Sequence, residues 1–162
     1  MNSDQFKAYA SFNYPELAKS GVDLKINFED LYKPLNSNTI FYNKLDDRVS
    51  VISLYPGISK QNVKHMFSDN YSKVFIIESY GSGNMFDFKW FIDELKSSLK
   101  KGKYIINVSQ CPKGSVQMGK YESSFKLVEL DIISGKDITL ESAIIKSMFL
   151  LSKKSDFKNF KE

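Results

Sequence analysis

Cysteine, histidine, tryptophan and arginine each occur once in 162 residues. The lone thiol, Cys111, excludes an intrachain disulfide. The lone imidazole, His65, leaves one candidate base for a Cys–His pair and none for a multi-histidine metal site. Threonine is confined to Thr39 and Thr139, and neither lies in a glycine-rich nucleophile setting. No G-x-S-x-G elbow is present, and the carboxylates are spread without an obvious pair. The residues themselves therefore carry no complete catalytic set, and no metal or cofactor is expected. No apolar run approaches the roughly 20 residues of a membrane span. The opening Met1-Asn2-Ser3-Asp4-Gln5 lacks the charged-then-apolar layout of a secretory signal. The expected location is the cytoplasm, off the membrane.

A net charge of +4 is a weak hint of a nucleic-acid partner. Lys153, Lys154, Lys158 and Lys161 against Asp156 and Glu162 place half of that excess in the last residues, and Arg48 is the only guanidinium. No nucleic acid is expected. Apolar residues at 42% and aromatics at 14% suit a folded domain, and the length suits one domain with an appendage.

Residues 1–47 read as an extended arm. Tyr14-Pro15 and Lys33-Pro34 interrupt regular structure, residues 15–20 are the only stretch expected to be helical, and residues 22–26 and 39–42 have strand-like composition. From Val49 the pattern changes to alternating strands and helices. Strands are expected at 49–55, 73–77 and 103–108, and the nearly continuous apolar run Val74-Phe75-Ile76-Ile77 suits a parallel strand covered on both faces. Ser59 is placed to cap a helix over 60–67 with Val63, Met66 and Phe67 inward. A second helix over 87–101 carries Phe88, Phe91, Ile92, Leu95 and Leu99 on one face and stops at Gly102. A short helix over 122–130 turns Phe125 and Val128 inward. A last helix, capped by Asp137, runs to about 151 with Leu140, Ala143, Ile144, Ser147, Met148 and Leu151 inward. The expectation is an α/β domain over 48–152: a small parallel four-stranded sheet with flanking helices, followed by a basic tail over 153–162.

In such sheets ligands bind beyond the carboxyl ends of the strands. Three loops lie there: residues 55–59, 79–85 and 109–121. Gly81-Ser82-Gly83 stands between a strand and a helix, but a dinucleotide fingerprint needs a third glycine where Phe86 stands. Asn84 brings an amide to a strand end. Cys111 precedes Pro112 in the next loop, with His65 as its only conceivable base.

The motifs in these loops resemble those of cytoplasmic type I L-asparaginases. Leu54-Tyr55-Pro56-Gly57-Ile58-Ser59 is similar to the family's YPGI motif, and Ser79-Tyr80-Gly81-Ser82-Gly83-Asn84 to YGxGN. Val108-Ser109-Gln110-Cys111, with Gly114 and Met118-Gly119-Lys120-Tyr121, resembles SQC…G…MGGY. Ser134-Gly135-Lys136-Asp137-Ile138-Thr139-Leu140-Glu141 resembles GGDMTxE. Phe6 to Gly21 resembles the segment that bridges the two asparaginase domains. The resemblance implies a C-terminal asparaginase domain, Rossmann-like, whose partner N-terminal domain carries the nucleophilic threonine, so no catalytic residue is expected in this chain. It implies that Asn84 contacts L-asparagine in a neighbouring subunit's site, in a homodimer or tetramer. It also implies an effector pocket drawn from Glu78, Tyr80, Ser109, Gln110, Cys111, Tyr121 and Ser123. Lys120 and Ser124 depart from glycines of the motif, and Glu78 stands where effector-regulated members carry arginine. The alternative is a non-catalytic ligand-binding or dimerisation domain. The asparaginase-like subunit of a tRNA amidotransferase is a further reading within the same fold.

Overall fold

The computed structural model describes residues 10–34, 38–119, 127–154, 157 and 160. It divides into two compact units, Met1–Asn43 and Lys44–Glu162.

Among the described residues, the smaller unit holds one hairpin. β1 (Ala18–Ser20) pairs antiparallel with β2 (Leu24–Ile26), with Ala18 opposite Ile26 and Ser20 opposite Leu24. Ala18–Ser20 is thus a strand and not the end of a helix. The turn at Gly21, whose N–H donates to the Asp23 carbonyl at 3.2 Å, folds the chain back so that its neighbour supplies the backbone partners. Residues 39–42 form no strand, because β-prone side chains without a facing strand have no ladder to join. Every residue of the hairpin strands is exposed.

The larger unit is built on a four-stranded sheet of order β3-β4-β5-β6, all parallel. The strands are β3 (Val49–Ser53), β4 (Val74–Ser79), β5 (Tyr104–Ser109) and β6 (Ile133–Ser134). β6 has only two residues and supplies the fourth strand of the expected sheet, for which the sequence offered no range. α1 (Lys60–Phe67) crosses from β3 to β4 and α2 (Lys89–Lys100) from β4 to β5. α3 (Leu140–Ser152) follows β6.

Side-chain alternation assigns the core. Phe75 and Ile77 of β4, with Ile52 and Ile105, face α1 and α2 and meet Val63, Phe67, Phe91 and Leu95. Val74 and Ile76, with Ile106 and Val108, face the other way and meet Ala143 and Leu150 of α3. β4 is covered on both faces, as its unbroken apolar run requires.

The helix ends show which local signals won. The Ser59 hydroxyl accepts from the Asn62 N–H at 3.1 Å and starts α1. α2 starts at Lys89 with Phe88 as its cap residue, so Phe88 lies outside the buried stripe and stacks between Phe86 and Trp90 at centroid distances of 5.8 and 5.9 Å. α3 is capped by Thr139, not Asp137. Thr139 is extended (φ −75°, ψ 159°), and its hydroxyl accepts from the Ser142 N–H. Near residue 127 the inward side chain is Leu127, which is buried, while Val128 is exposed. Phe125 lies outside the described residues.

The chain end is more than a solvated basic segment. Phe157 and Phe160 are buried in the α3-side core, Phe157 stacks on Tyr104 at 4.2 Å, and the Lys146 ammonium donates to the Phe160 carbonyl at 2.7 Å. Residues 44–47 also belong to the larger unit, where the Asp46 N–H donates to the Met148 carbonyl at 3.1 Å.

Candidate functional site

The carboxyl ends of β3, β4 and β5 meet at one edge of the sheet, and the loops that leave them are tied to one another. The loop after β4 is a tight closure. The Tyr80 N–H donates to the Asn84 carbonyl and the Asn84 N–H to the Tyr80 carbonyl, both at 2.9 Å. Such a narrow return needs positive φ, which Gly81 (+50°) and Gly83 (+103°) supply. Asn84 therefore sits on a pinned backbone, half-buried, with a side-chain amide that meets no hydrogen-bond partner among the described residues.

Three polar side chains brace the loops. The Ser109 hydroxyl donates to the Gly81 carbonyl at 2.5 Å and accepts from the Cys111 N–H at 3.0 Å. The Gln110 side-chain amide donates to the Leu54 carbonyl, and to the Glu78 carbonyl at 3.0 Å, while its own N–H donates to the Ser79 carbonyl at 3.0 Å. Asn107, fully buried inside β5, accepts from the Ser79 hydroxyl at 2.5 Å and donates to the Gly83 carbonyl at 2.9 Å. The loop after β5 returns alongside. The Gln117 N–H donates to the Ser82 carbonyl at 2.9 Å, and the Val116 side chain wedges against Gly83.

Most of the residues expected at the site gather here. Glu78, Tyr80, Asn84, Ser109, Gln110 and Cys111 all lie on this edge, at the ends of β4 and β5. Tyr121 and Ser123, with Lys120 and Ser124, lie outside the described residues. Ser109 and Gln110 direct their polar atoms at backbone carbonyls. The Glu78 carboxylate accepts from the Ser53 hydroxyl one strand away, in register with it. The Tyr80 hydroxyl is buried without a partner among the described residues, and burial raises its pKa above the ordinary tyrosine value. Cys111 is exposed. His65 is exposed in the last turn of α1, which runs antiparallel to the strands and carries it away from the loops. The structure does not join the two as a nucleophile and base. Thr139 is engaged as a helix cap, and Thr39 is exposed in the smaller unit. Among the described residues, no group of three or more His, Cys, Asp or Glu is placed to hold a metal, and no helix is long and apolar enough to cross a membrane.

Asn107 escaped the reading of the sequence. Its signal was present: one amide in the middle of Ile105-Ile106-Asn107-Val108. A polar side chain placed there must find hydrogen bonds inside the protein.

The larger unit is thus a parallel α/β domain whose strand-end loops are cross-braced and hold an amide that is uncommitted among the described residues. Residues 48–162 match the family of the glutaminase/asparaginase C-terminal domain. The chain is 31% identical over 156 residues to L-asparaginase 1 of Escherichia coli K12, covering 96% of this chain and 46% of that protein. It is 32% identical over 164 residues to a glutamyl-tRNA(Gln) amidotransferase subunit of Sulfolobus acidocaldarius, covering 100% of this chain and 36% of that one. The crystal structure of L-asparaginase I from Vibrio cholerae superimposes with a TM-score of 0.83 at 28% identity, over 99% of this chain and 48% of that one. The chain belongs to the glutaminase/asparaginase C-terminal domain family and spans about half the length of the asparaginases it matches.

Proposed function

We propose that this chain serves as the C-terminal domain of a cytoplasmic amidohydrolase that converts L-asparagine to L-aspartate and ammonia, and that Asn84 reaches the substrate in a neighbouring subunit's active site. The observation that carries this reading is Asn84 itself, an amide with free donor and acceptor capacity among the described residues, on a loop whose backbone is held at both ends. An amide can accept from the ammonium of an amino acid and donate to its carboxylate.

The nucleophile belongs to an N-terminal asparaginase domain. Acyl transfer needs a hydroxyl with a base in reach, and neither threonine of this chain has that setting. The arm supports a partner of this kind. Phe12, Tyr14, Leu24, Phe28, Tyr32 and Phe41 are all exposed, and a lone two-stranded hairpin is at best marginally stable in water. Such surface is suited to be covered by another domain. Assembly as a homodimer or tetramer follows from a site shared between subunits.

The test is ammonia release from asparagine by the purified chain, alone and with an N-terminal asparaginase domain supplied in trans. The expected result is no turnover alone, turnover in the assembly, and a ten- to hundred-fold lower kcat/KM for Asn84→Ala, about the worth of one charge-assisted hydrogen bond. Turnover by the chain alone, or an unchanged kcat/KM for the variant, overturns the reading. Absence of turnover in both arms favours a non-catalytic ligand-binding or dimerisation domain. The likeness to an amidotransferase subunit supports a second reading, in which ammonia is delivered to a tRNA-bound substrate. That reading requires tRNA-dependent turnover.

A further inference from the structure

We infer that Asn107 is a positioning residue for Asn84, the side chain through which the body of the sheet sets the geometry of the substrate-facing loop. The inference rests on the proposed contact between Asn84 and substrate and deepens it. A carboxamide inside an apolar parallel strand is costly unless its donors and acceptors are used. Here they serve the loop. Oδ1 accepts from the Ser79 hydroxyl at 2.5 Å, at the point where β4 ends. Nδ2 donates to the Gly83 carbonyl at 2.9 Å, which belongs to the peptide group that joins Gly83 to Asn84. Orienting that carbonyl orients the plane from which the Asn84 side chain departs.

The amide is itself held from several sides. Its backbone carbonyl accepts from the Gly135 N–H at 2.8 Å, and its backbone pairs with β4 through Ile77 and with β6 through Ser134. Asn107 and Ser79 are both fully buried, so no water shell competes for these bonds. Gly83 packs so closely that an added Cβ would lie 3.2 Å from Nδ2. The Gly83 peptide is thus clamped between Asn107 and Val116. A one-residue change in β5, in a residue that need not touch substrate, should therefore change catalysis through Asn84.

Asn107→Asp keeps the shape of the side chain and removes the Nδ2 donor. In the 162-residue chain labelled with 15N, the expected signature is a displaced Asn84 side-chain NH2 resonance and at least ten-fold faster exchange of the Gly83 and Asn84 amides, with α1 and α2 core amides within two-fold of wild type. Unmoved loop signals, or equal acceleration across the whole domain, overturn the inference. Should Asn107→Asp not fold, Ser79→Ala gives a second reading: it removes the hydroxyl that holds Oδ1 and that also reaches the Val108 carbonyl at 3.1 Å, so the Asn107 amide loses its anchor and the same loop signals should move. In the two-domain assembly a double-mutant cycle follows. Asn107→Asp should lower kcat/KM ten-fold or more when Asn84 is present and less than two-fold in the Asn84→Ala background. Fully multiplicative effects beside an active Asn84 overturn the positioning role alone. If Asn84→Ala itself changes nothing, the substrate contact is what fails, and Asn107 has no catalytic side chain to act through.

Discussion

Gly83 and Val116 meet so tightly that a Cβ on Gly83 would stand 2.7 Å from the Val116 Cγ1. The loop after β4 and the loop after β5 are therefore packed against each other at a residue that has no side chain, where φ is +103°.

Gly83→Ala should combine backbone strain with a displaced Val116. A loss of about 2 kcal/mol or more is expected, measured as a lower urea midpoint with an unchanged slope. Gly57 provides the contrast. Its φ of +86° is similar, but nothing lies within 4 Å of the position a Cβ would take. Gly57→Ala should cost only the conformational part, about 1 kcal/mol. Equal losses at the two positions would show that the contact with Val116 contributes nothing.

Phe157 is 1% exposed, beyond the last helix. Phe157→Ala removes a ring stacked on Tyr104 and should cost about 3–5 kcal/mol. That is a large part of the stability of a domain of this size. The urea midpoint reads the loss. A harmless Phe157→Ala would return the chain end to the status of a solvated basic tail.

The pH dependence of stability should have two arms. Lys103 is buried, its ammonium donates to the Asp69 carbonyl, and it lies 4.7 Å from the centre of the Phe75 ring. Burial holds its pKa below 10.5, only partly offset by the Asp69 charge. In the window between the folded-state value and 10.5 the unfolded chain binds more protons, so stability should climb with pH. On the acid side, the Ser72 hydroxyl and the Tyr71 N–H hold the Asp69 carboxyl below 3.8, and Arg48 does the same for Asp46. Their contribution is present above 3.8 and is lost as pH falls through the folded-state values. Urea midpoints measured from acid up to about pH 9.5, below the tyrosine range, check both arms. Lys103→Met should flatten the alkaline arm and leave the acid arm intact.

Glu78 should prevent a tight effector-asparagine site in this domain. Its carboxylate accepts from the Ser53 hydroxyl and repels a ligand carboxylate, where an arginine would grip one with two parallel bonds. Titration calorimetry of asparagine into the chain should show no saturable binding tighter than about 1 mM. Saturation below that, abolished by Cys111→Ala, would show a working pocket despite Glu78.

The larger unit was legible because its signals were local and mutually consistent. Ser59 before Val63 and Phe67, the run Val74-Phe75-Ile76-Ile77, and Gly102 after Leu99 each point to the element that forms there. Other features were hidden because a distant partner decided, although the shift of the α3 cap from Asp137 to Thr139 was local. Ala18–Ser20 became a strand because Leu24–Ile26 folds back on it. Two residues sufficed for β6 because β5 was already in place. Phe157 and Phe160 found an apolar sheet face that nothing in their lysine-rich surroundings announces. At the candidate site, the strand-end loops were visible as motifs. Asn107 was not, because its role depends on Ser79 and Gly83, which lie 28 and 24 residues away.

The strand order has a kinetic consequence. Because neighbours in the sheet are neighbours in the chain, each parallel pairing joins residues only 25 to 30 positions apart: Val49 with Val74, Val74 with Tyr104, Ile106 with Ile133. Loop closure is thus spread over short, similar steps, and no strand of this sheet has to wait for a distant segment. The sheet can grow in the order in which the ribosome delivers it. The stacking of Phe157 on Tyr104 spans 53 positions, and it can close only once Phe157 has left the ribosome.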